Sequence, residues 1–302
     1  MELFGGIEAG GTKFVCIVAN HAGQVLAETR LPTTQPAETI QRVAEFFQPY
    51  SDSGDLVAIG IASFGPVDLS PDSATYGYIT TTPKPGWTQF NICGEVRRLL
   101  NVPVAFDTDV NAAAFGEQFW QKGKETPDPL LYMTVGTGIG VGVIINGAPL
   151  HGLIHPEAGH GMIPHNREKD PFAGVCPYHG DCLEGLASGV SMAKRWGQSA
   201  ETLPEGHPAW DLEAEYLALA LLNFIYAYSP RRIVLGGGVP QHRGLIPAVC
   251  AKVIALNHGY ISSPMVLDRI DEYILPPALG NRSGSLGAVA MAIQQVRNTS
   301  GK

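Results

Sequence analysis

Apolar residues near the start of the chain fall in short runs broken by small and polar ones. Residues 3–8 and 13–19 are rich in strand formers and flank Ala9-Gly10-Gly11-Thr12, so they predict two strands joined by a tight turn. Asn20-His21-Ala22-Gly23 is a second turn signal, and residues 24–30 predict a third strand. These three form an antiparallel meander. From 36 to 47 the apolar positions recur at helical spacing. Residues 55–63 hold the unbroken run Leu56-Val57-Ala58-Ile59-Gly60-Ile61, the pattern of a strand covered on both faces. A helix over 91–101, a strand over 102–106 and a helix over 111–122 follow.

The second half restarts the same pattern. Residues 130–135 predict a strand, a Gly-rich turn follows, 141–146 predict another strand, and Gly147 begins a further β segment. Residues 155–181 are rich in His, Pro, Gly and Cys and show little periodicity. A long helix over 210–228, a strand over 232–235 and a closing helix over 283–296 complete the chain. The strand–Gly-turn–strand unit thus occurs twice, at 3–19 and 130–146. Two similarly built halves are expected, with a ligand cleft between them.

Composition narrows the class. In 302 residues, 45% are hydrophobic and 16% charged, which suits a soluble protein with a sizeable core. The net charge of −8 and the lack of a basic run argue against nucleic acid as a partner. An acidic chain can still hold a nucleotide through backbone N–H groups, local cations and a divalent metal. No apolar stretch reaches the ~18 residues of a membrane span. The N-terminus lacks the basic and apolar segments of a signal peptide. Five cysteines (Cys16, Cys93, Cys176, Cys182 and Cys250) are an odd number in a long chain without a signal, which points to reduced thiols and a cytoplasmic location.

Five segments carry candidate chemistry. Gly6-Ile7-Glu8-Ala9-Gly10-Gly11-Thr12-Lys13 sets two glycines between strands, where the backbone can approach a phosphate beside the Thr12 hydroxyl and the Lys13 cation. The P-loop spacing is absent, and a plain hairpin turn is the other reading. Thr134-Val135-Gly136-Thr137-Gly138-Ile139-Gly140-Val141-Gly142 clears one strand face of side chains, either for a phosphate chain or simply as a Gly-rich hairpin. Asp107-Thr108-Asp109-Val110-Asn111 lies where a strand runs into a helix, at the carboxyl end where α/β ligands gather. There Asp109 is a candidate base toward a hydroxyl, or Asp109 or Asn111 is a helix N-cap.

The fourth segment joins His155-Pro156-Glu157-Ala158-Gly159-His160 to Cys176-Pro177-Tyr178-His179-Gly180-Asp181-Cys182-Leu183-Glu184. C-x2-H-x2-C with an upstream His suits a tetrahedral, structural Zn²⁺, against the plainer reading of a polar loop with reduced thiols. His155 and His160 are not the paired histidines of a zincin helix, so metal-hydrolase chemistry is disfavoured. The fifth, Val234-Leu235-Gly236-Gly237-Gly238-Val239, runs a strand into three glycines that can seat an adenosine. Its spacing is not that of a dinucleotide fold.

Taken in order, these segments resemble the ROK family (repressor, open reading frame, kinase) of sugar kinases. The resemblance spans essentially the whole chain and includes Ala62-Ser63-Phe64-Gly65-Pro66-Val67-Asp68 and Thr82-Pro83-Lys84-Pro85-Gly86-Trp87. It implies an α/β, two-domain actin-like (ribonuclease-H-like) ATPase fold with the active-site cleft between domains. The expected division puts 1–115 and the closing helix 284–302 in a small domain, and 116–283 in a larger one carrying the zinc loop 155–182.

The implied reaction is phosphoryl transfer from ATP, with Mg²⁺, to a hexose. By the same resemblance Asp109 is the base, and Thr108, Gly65, Pro66, Glu157, His160 and Glu184 face the sugar. Gly10, Gly11, Thr12, Lys13, Gly136, Thr137, Gly138, Gly236, Gly237 and Gly238 hold the nucleotide. His160, Cys176, His179 and Cys182 bind structural zinc, with His155 competing for one place. A homodimer is implied, with no nucleic-acid or membrane partner.

Three positions depart from the commoner family pattern: Glu8 for Asp, Thr108 for Asn, and His179 within the zinc loop in place of a cysteine. The last is similar to the bacterial fructokinase branch, which makes fructose the expected substrate, with glucose or mannose as alternatives. A sugar-responsive repressor would need a DNA-binding domain before the first phosphate loop, which begins at Gly6. A sugar-binding protein without catalysis is disfavoured by Asp109 occurring together with both phosphate loops.

Overall fold

A computed structural model describes residues 1–121 and 126–300, the side chain of Ser300 excepted. In chain order the elements are β1 (Leu3–Ala9), β2 (Lys13–Asn20), β3 (Val25–Pro32), α1 (Pro36–Asp52), β4 (Leu56–Ser63), β5 (Tyr78–Ile79), β6 (Phe90–Asn91), α2 (Ile92–Leu100), β7 (Val104–Thr108) and α3 (Asp109–Phe119). Then follow β8 (Leu130–Val135), β9 (Ile139–Ile145), β10 (Ala148–Pro149), α4 (Leu183–Ala187), α5 (Gly189–Trp196), α6 (Ala209–Tyr228), β11 (Arg232–Gly236), α7 (Leu245–Asn257), α8 (Pro264–Leu267), α9 (Ile270–Tyr273), β12 (Ile274–Leu275) and α10 (Ser283–Ser300). The helix expected over 111–122 is α3; Lys122 lies outside the described residues, as do Gly301 and Lys302 of the expected C-terminal segment.

The chain divides into two compact units, Met1–Thr126 with Gly147–Pro156 and Asn281–Lys302, and Pro127–Asn146 with Glu157–Gly280. In the first, the strands run β3-β2-β1-β4-β7. β1, β2 and β3 form the antiparallel meander, and β1–β4–β7 are parallel. Continuous apolar runs make β1 and β4 buried strands. Ile7, Phe14, Phe47, Ile59, Ile61 and Trp87 are all fully buried in this core. Trp87, from the expected sugar-side stretch, packs among Phe14, Phe64 and Phe90, and its indole N–H donates to Thr34 O at 2.9 Å. It is a core residue of this unit.

Helix α10 packs on α3, β1 and β4. The approach is backbone to backbone. A Cβ on Gly60 would collide with the carbonyl of Ala288, and one on Gly116 would come within 2.7 Å of the Gly287 Cα. Glycine is required at both places by proximity alone.

In the second unit the strands β9, β8, β11 and β12 lie in that order. β8–β9 is antiparallel, and β8–β11 and β11–β12 are parallel. The long helix α6 packs on α7. Among the described residues no helix is long and apolar enough to cross a membrane.

Candidate active site

In the first unit, the β1–β2 turn exposes Gly11, Thr12 and Lys13. It is pinned by Gly10 N donating to Lys13 O at 3.0 Å and by the Thr33 hydroxyl donating to Gly10 O at 2.7 Å. A Cβ on Gly10 would sit 2.8 Å from Lys13 O, whereas Gly11 faces open space. Glu8, at the end of β1, lies against the start of α10: a Cβ on Gly284 would come within 2.6 Å of its carboxyl carbon. Burial, and then the negative charge of Asp109, push Glu8 up to about 7.

The Gly65-Pro66 turn follows β4. Phe64 N donates to Ala9 O at 2.8 Å, and Pro66 O accepts both the amide (2.8 Å) and the hydroxyl (3.0 Å) of Thr80. Val67 N donates to His155 Nε2 at 3.1 Å. His155 therefore spends its Nε2 on this loop.

Asp109 is the first residue of α3. The N-cap is Thr108, whose Oγ1 accepts Asn111 N at 3.1 Å. Neither Asp109 nor Asn111 serves as the cap. The Thr108 side chain is buried in this duty. The Asp109 carboxylate lies deep among neighbouring atoms yet keeps an open side, and burial pushes it up to about 6. A carboxylate with that value is still largely ionised at neutrality yet more basic than an ordinary one, as a general base requires.

In the second unit, Gly136 N donates to Gly138 O at 2.9 Å to close the β8–β9 turn, and Gly189 N, which opens α5, donates to Gly136 O at 2.7 Å. Thr137 is exposed at the tip. Glu184 Oε2 accepts Ile139 N at 3.0 Å, so one carboxylate oxygen braces this turn. Gly236 ends β11; Gly237 has φ +95°, and a Cβ there would strike the Val135 backbone, while Gly238 is open. The three glycines and the 136–138 turn lie at the carboxyl ends of adjacent parallel strands, β11 and β8. Glu157 is exposed, and its carbonyl accepts His160 N at 3.0 Å. Gly159 between them presses on Ile139 O of β9.

His160, Cys176, His179 and Cys182 converge, with one donor atom from each lying within 4.8 Å of every other. Cys176 Sγ is 3.6 Å from His160 Nδ1 and 3.5 Å from His179 Nδ1, and Cys182 Sγ is 3.7 Å from His160 Nδ1. Donors on a tetrahedron with bonds of ~2.0–2.3 Å are separated by roughly 3.5 Å, so this set fits a zinc ion. Paired backbone bonds between Cys176 and Gly180, at 3.2 and 2.9 Å, shape the loop. His155 is not part of the group.

The sequence profile of the ROK family matches residues 4–295. The chain belongs to the ROK family. It is 42% identical over 296 residues to a fructokinase of Pediococcus pentosaceus, covering 98% of this chain and 99% of the relative. It is 42% identical over 294 residues to a fructokinase of Streptococcus mutans, covering 96% and 97%. The crystal structure of a ROK hexokinase from Thermus thermophilus superposes with a TM-score of 0.77 at 24% identity, covering 98% of this chain and 99% of that one.

In this ROK-family chain the structure adds groups that the motifs do not contain. His151 Nε2 lies 2.9 Å from Asp107 Oδ2, and His155 accepts from Val67. Their partners are 44 and 88 residues away, so no local spacing reveals them. Glu8, noted in the sequence only as a departure, proves to be electrostatically coupled to Asp109.

Proposed function

We propose that this protein transfers the γ-phosphoryl group of ATP to D-fructose, giving fructose 6-phosphate. The observation that carries the reading is full-length identity of 42% to fructokinases, joined to an α3 that begins with a carboxylate of raised pKa. Asp109 orients the 6-hydroxyl and accepts its proton as the bond to phosphorus forms. Gly65, Pro66, Thr108, Glu157, His160 and Glu184 contact the sugar. The amides of Gly10, Gly11 and 136–138, with Thr12 and Lys13, hold the phosphates, and 236–238 seat the adenosine. Magnesium bound to ATP neutralises charge on the transferring group.

His160, Cys176, His179 and Cys182 would hold zinc. Four protein ligands leave no open position, so the metal contributes folding energy and not chemistry. With Nδ1 of His160 turned to the thiols, its Nε2 is left for a sugar hydroxyl. All five cysteines are unpaired and buried, which supports a reducing, cytoplasmic setting. A homodimer is part of the same reading.

A site built to hydrogen-bond a sugar hydroxyl rejects an epimer that leaves its acceptor unpaired, at a cost of ~1–3 kcal/mol per lost bond. A coupled assay of ADP release across common hexoses should therefore give fructose the highest kcat/KM. A value for glucose more than about tenfold higher, ~1.4 kcal/mol in barrier, overturns the substrate and leaves the kinase.

A further inference from the structure

The geometry points to His151 as a positioning residue for phosphoryl transfer, whose pairing with Asp107 aims the turn that carries Asp109. The inference rests on the reading of Asp109 as base.

Asp107 is 3% exposed, and three N–H groups address its carboxylate. Oδ1 accepts Thr108 N at 2.7 Å and Asn111 Nδ2 at 2.7 Å, and Oδ2 accepts His151 Nε2 at 2.9 Å. Thr108 Oγ1 in turn accepts Asn111 N at 3.1 Å. Asp107, Thr108 and Asn111 are thus knitted into a closed ring around the start of α3. Asp109 takes no part in it. Its hydrogen bonds stay within its own turn, to Val110 N at 2.9 Å and to its own amide. With no hydrogen bond from another element among the described residues, the Asp109 carboxylate points wherever the turn points.

Among the described residues, the side-chain hydrogen bond that reaches the ring's carboxylate from outside comes from His151. Asn111 is fully buried and its Oδ1 has no donor among the described residues. Its amide is therefore oriented by Asp107 alone. The hydrogen bond to Asp107 raises the pKa of His151, and the Nε2–H that it donates completes the compensation of a buried carboxylate. A buried carboxylate stripped of one donor seeks another, and the donors within reach are those that shape the base turn. His151 is 41% exposed in its side chain, so it is not a core-packing residue. Its removal should be felt in the aim of the turn more than in the fold.

The test is a double-mutant cycle in the full chain, reading kcat and both KM values with fructose and MgATP. His151→Ala should lower kcat about tenfold or more, the scale of a misaimed catalytic group. Both KM values should stay within about threefold, as for an interaction made only in the transition state. His151→Gln, which keeps an N–H for Asp107, should recover part of the loss, as should added imidazole with His151→Ala. In the Asp109→Asn background the effect of His151→Ala should shrink to within about twofold, because two residues acting through one group are non-additive. An unchanged kcat, a loss confined to KM, or an undiminished effect in the Asp109→Asn background overturns the positioning role. Retention of more than about a tenth of kcat by Asp109→Asn alone overturns the base reading and the inference with it, and the single variant reports this separately.

Discussion

His155 Nε2 accepts the Val67 amide at 3.1 Å, and through this bond a buried histidine closes the loop of Gly65 and Pro66. Burial lowers the pKa of His155 from 6.5, which keeps Nε2 an acceptor at neutral pH. A folded pKa below the unfolded one means that the contribution to stability is complete above about 6.5. It is drawn down as pH falls from there to the folded value. His155→Phe leaves the Val67 N–H unpaired and should cost ~1–3 kcal/mol, seen in urea titrations. It should also raise the sugar KM and abolish this part of the acid destabilisation. A variant as stable as wild type at pH 7.5 would show that the bond contributes nothing.

Asp109→Asn should lower kcat by at least ~10²-fold while leaving the fold and sugar binding in place. The pH profile offers a second check. kcat/KM reports the free protein, so its acid limb should fall near 6, where Asp109 titrates. Glu8 titrates at about 7, and Glu8→Gln should remove that contribution and leave the lower limb. A profile flat down to pH 5 sinks the assignment.

Gly138→Ala should impair binding of both substrates. The added methyl would meet Glu184 Oε2 at 2.5 Å, and that oxygen holds Ile139 N at 3.0 Å. Displacing Glu184 therefore disturbs the 136–138 turn, proposed to hold phosphate, and a proposed sugar ligand at once. Gly136→Ala, whose methyl meets nothing within 4 Å, is the control and should be milder. Equal KM values for the two variants, with either substrate, would break the proposed link.

Protein purified without added metal should contain about one zinc per chain, held by His160, Cys176, His179 and Cys182. Chelation should lower the unfolding temperature, since metal binding to the native state is folding free energy. Elemental analysis of Cys176→Ser/Cys182→Ser decides the matter: a full complement of zinc in that variant excludes the site.

Local patterning makes both hairpins legible, because a strand, a pair of glycines and a second strand fall within twenty residues. The convergence of His160, Cys176, His179 and Cys182 is legible because three of the four donors fall in one short loop. Other parts are hidden for physical causes. Helix α7 is apolar on nearly all sides and carries Pro247, so no amphipathic stripe announces it. Thr108, Asp109 and Asn111 are all capping residues, and only the backbone shows that Thr108 takes the role. His151 and His155 act on residues far away in sequence, and their use depends on where the 147–156 segment is laid down.

The glycine-to-backbone seat of α10 bears on how the chain can be made. The first unit's parallel strands leave the ribosome early, yet β1, β4 and α3 are covered by a helix at 283–300. Until that helix is synthesised, the bare surface around Gly60 and Gly116 has no lid, and the whole second unit must emerge in between. The two units should therefore mature out of order: the later-made one can close first, while the earlier-made one waits for α10. A nascent chain stalled before 283 should resist protease in its second unit and remain cleavable in its first.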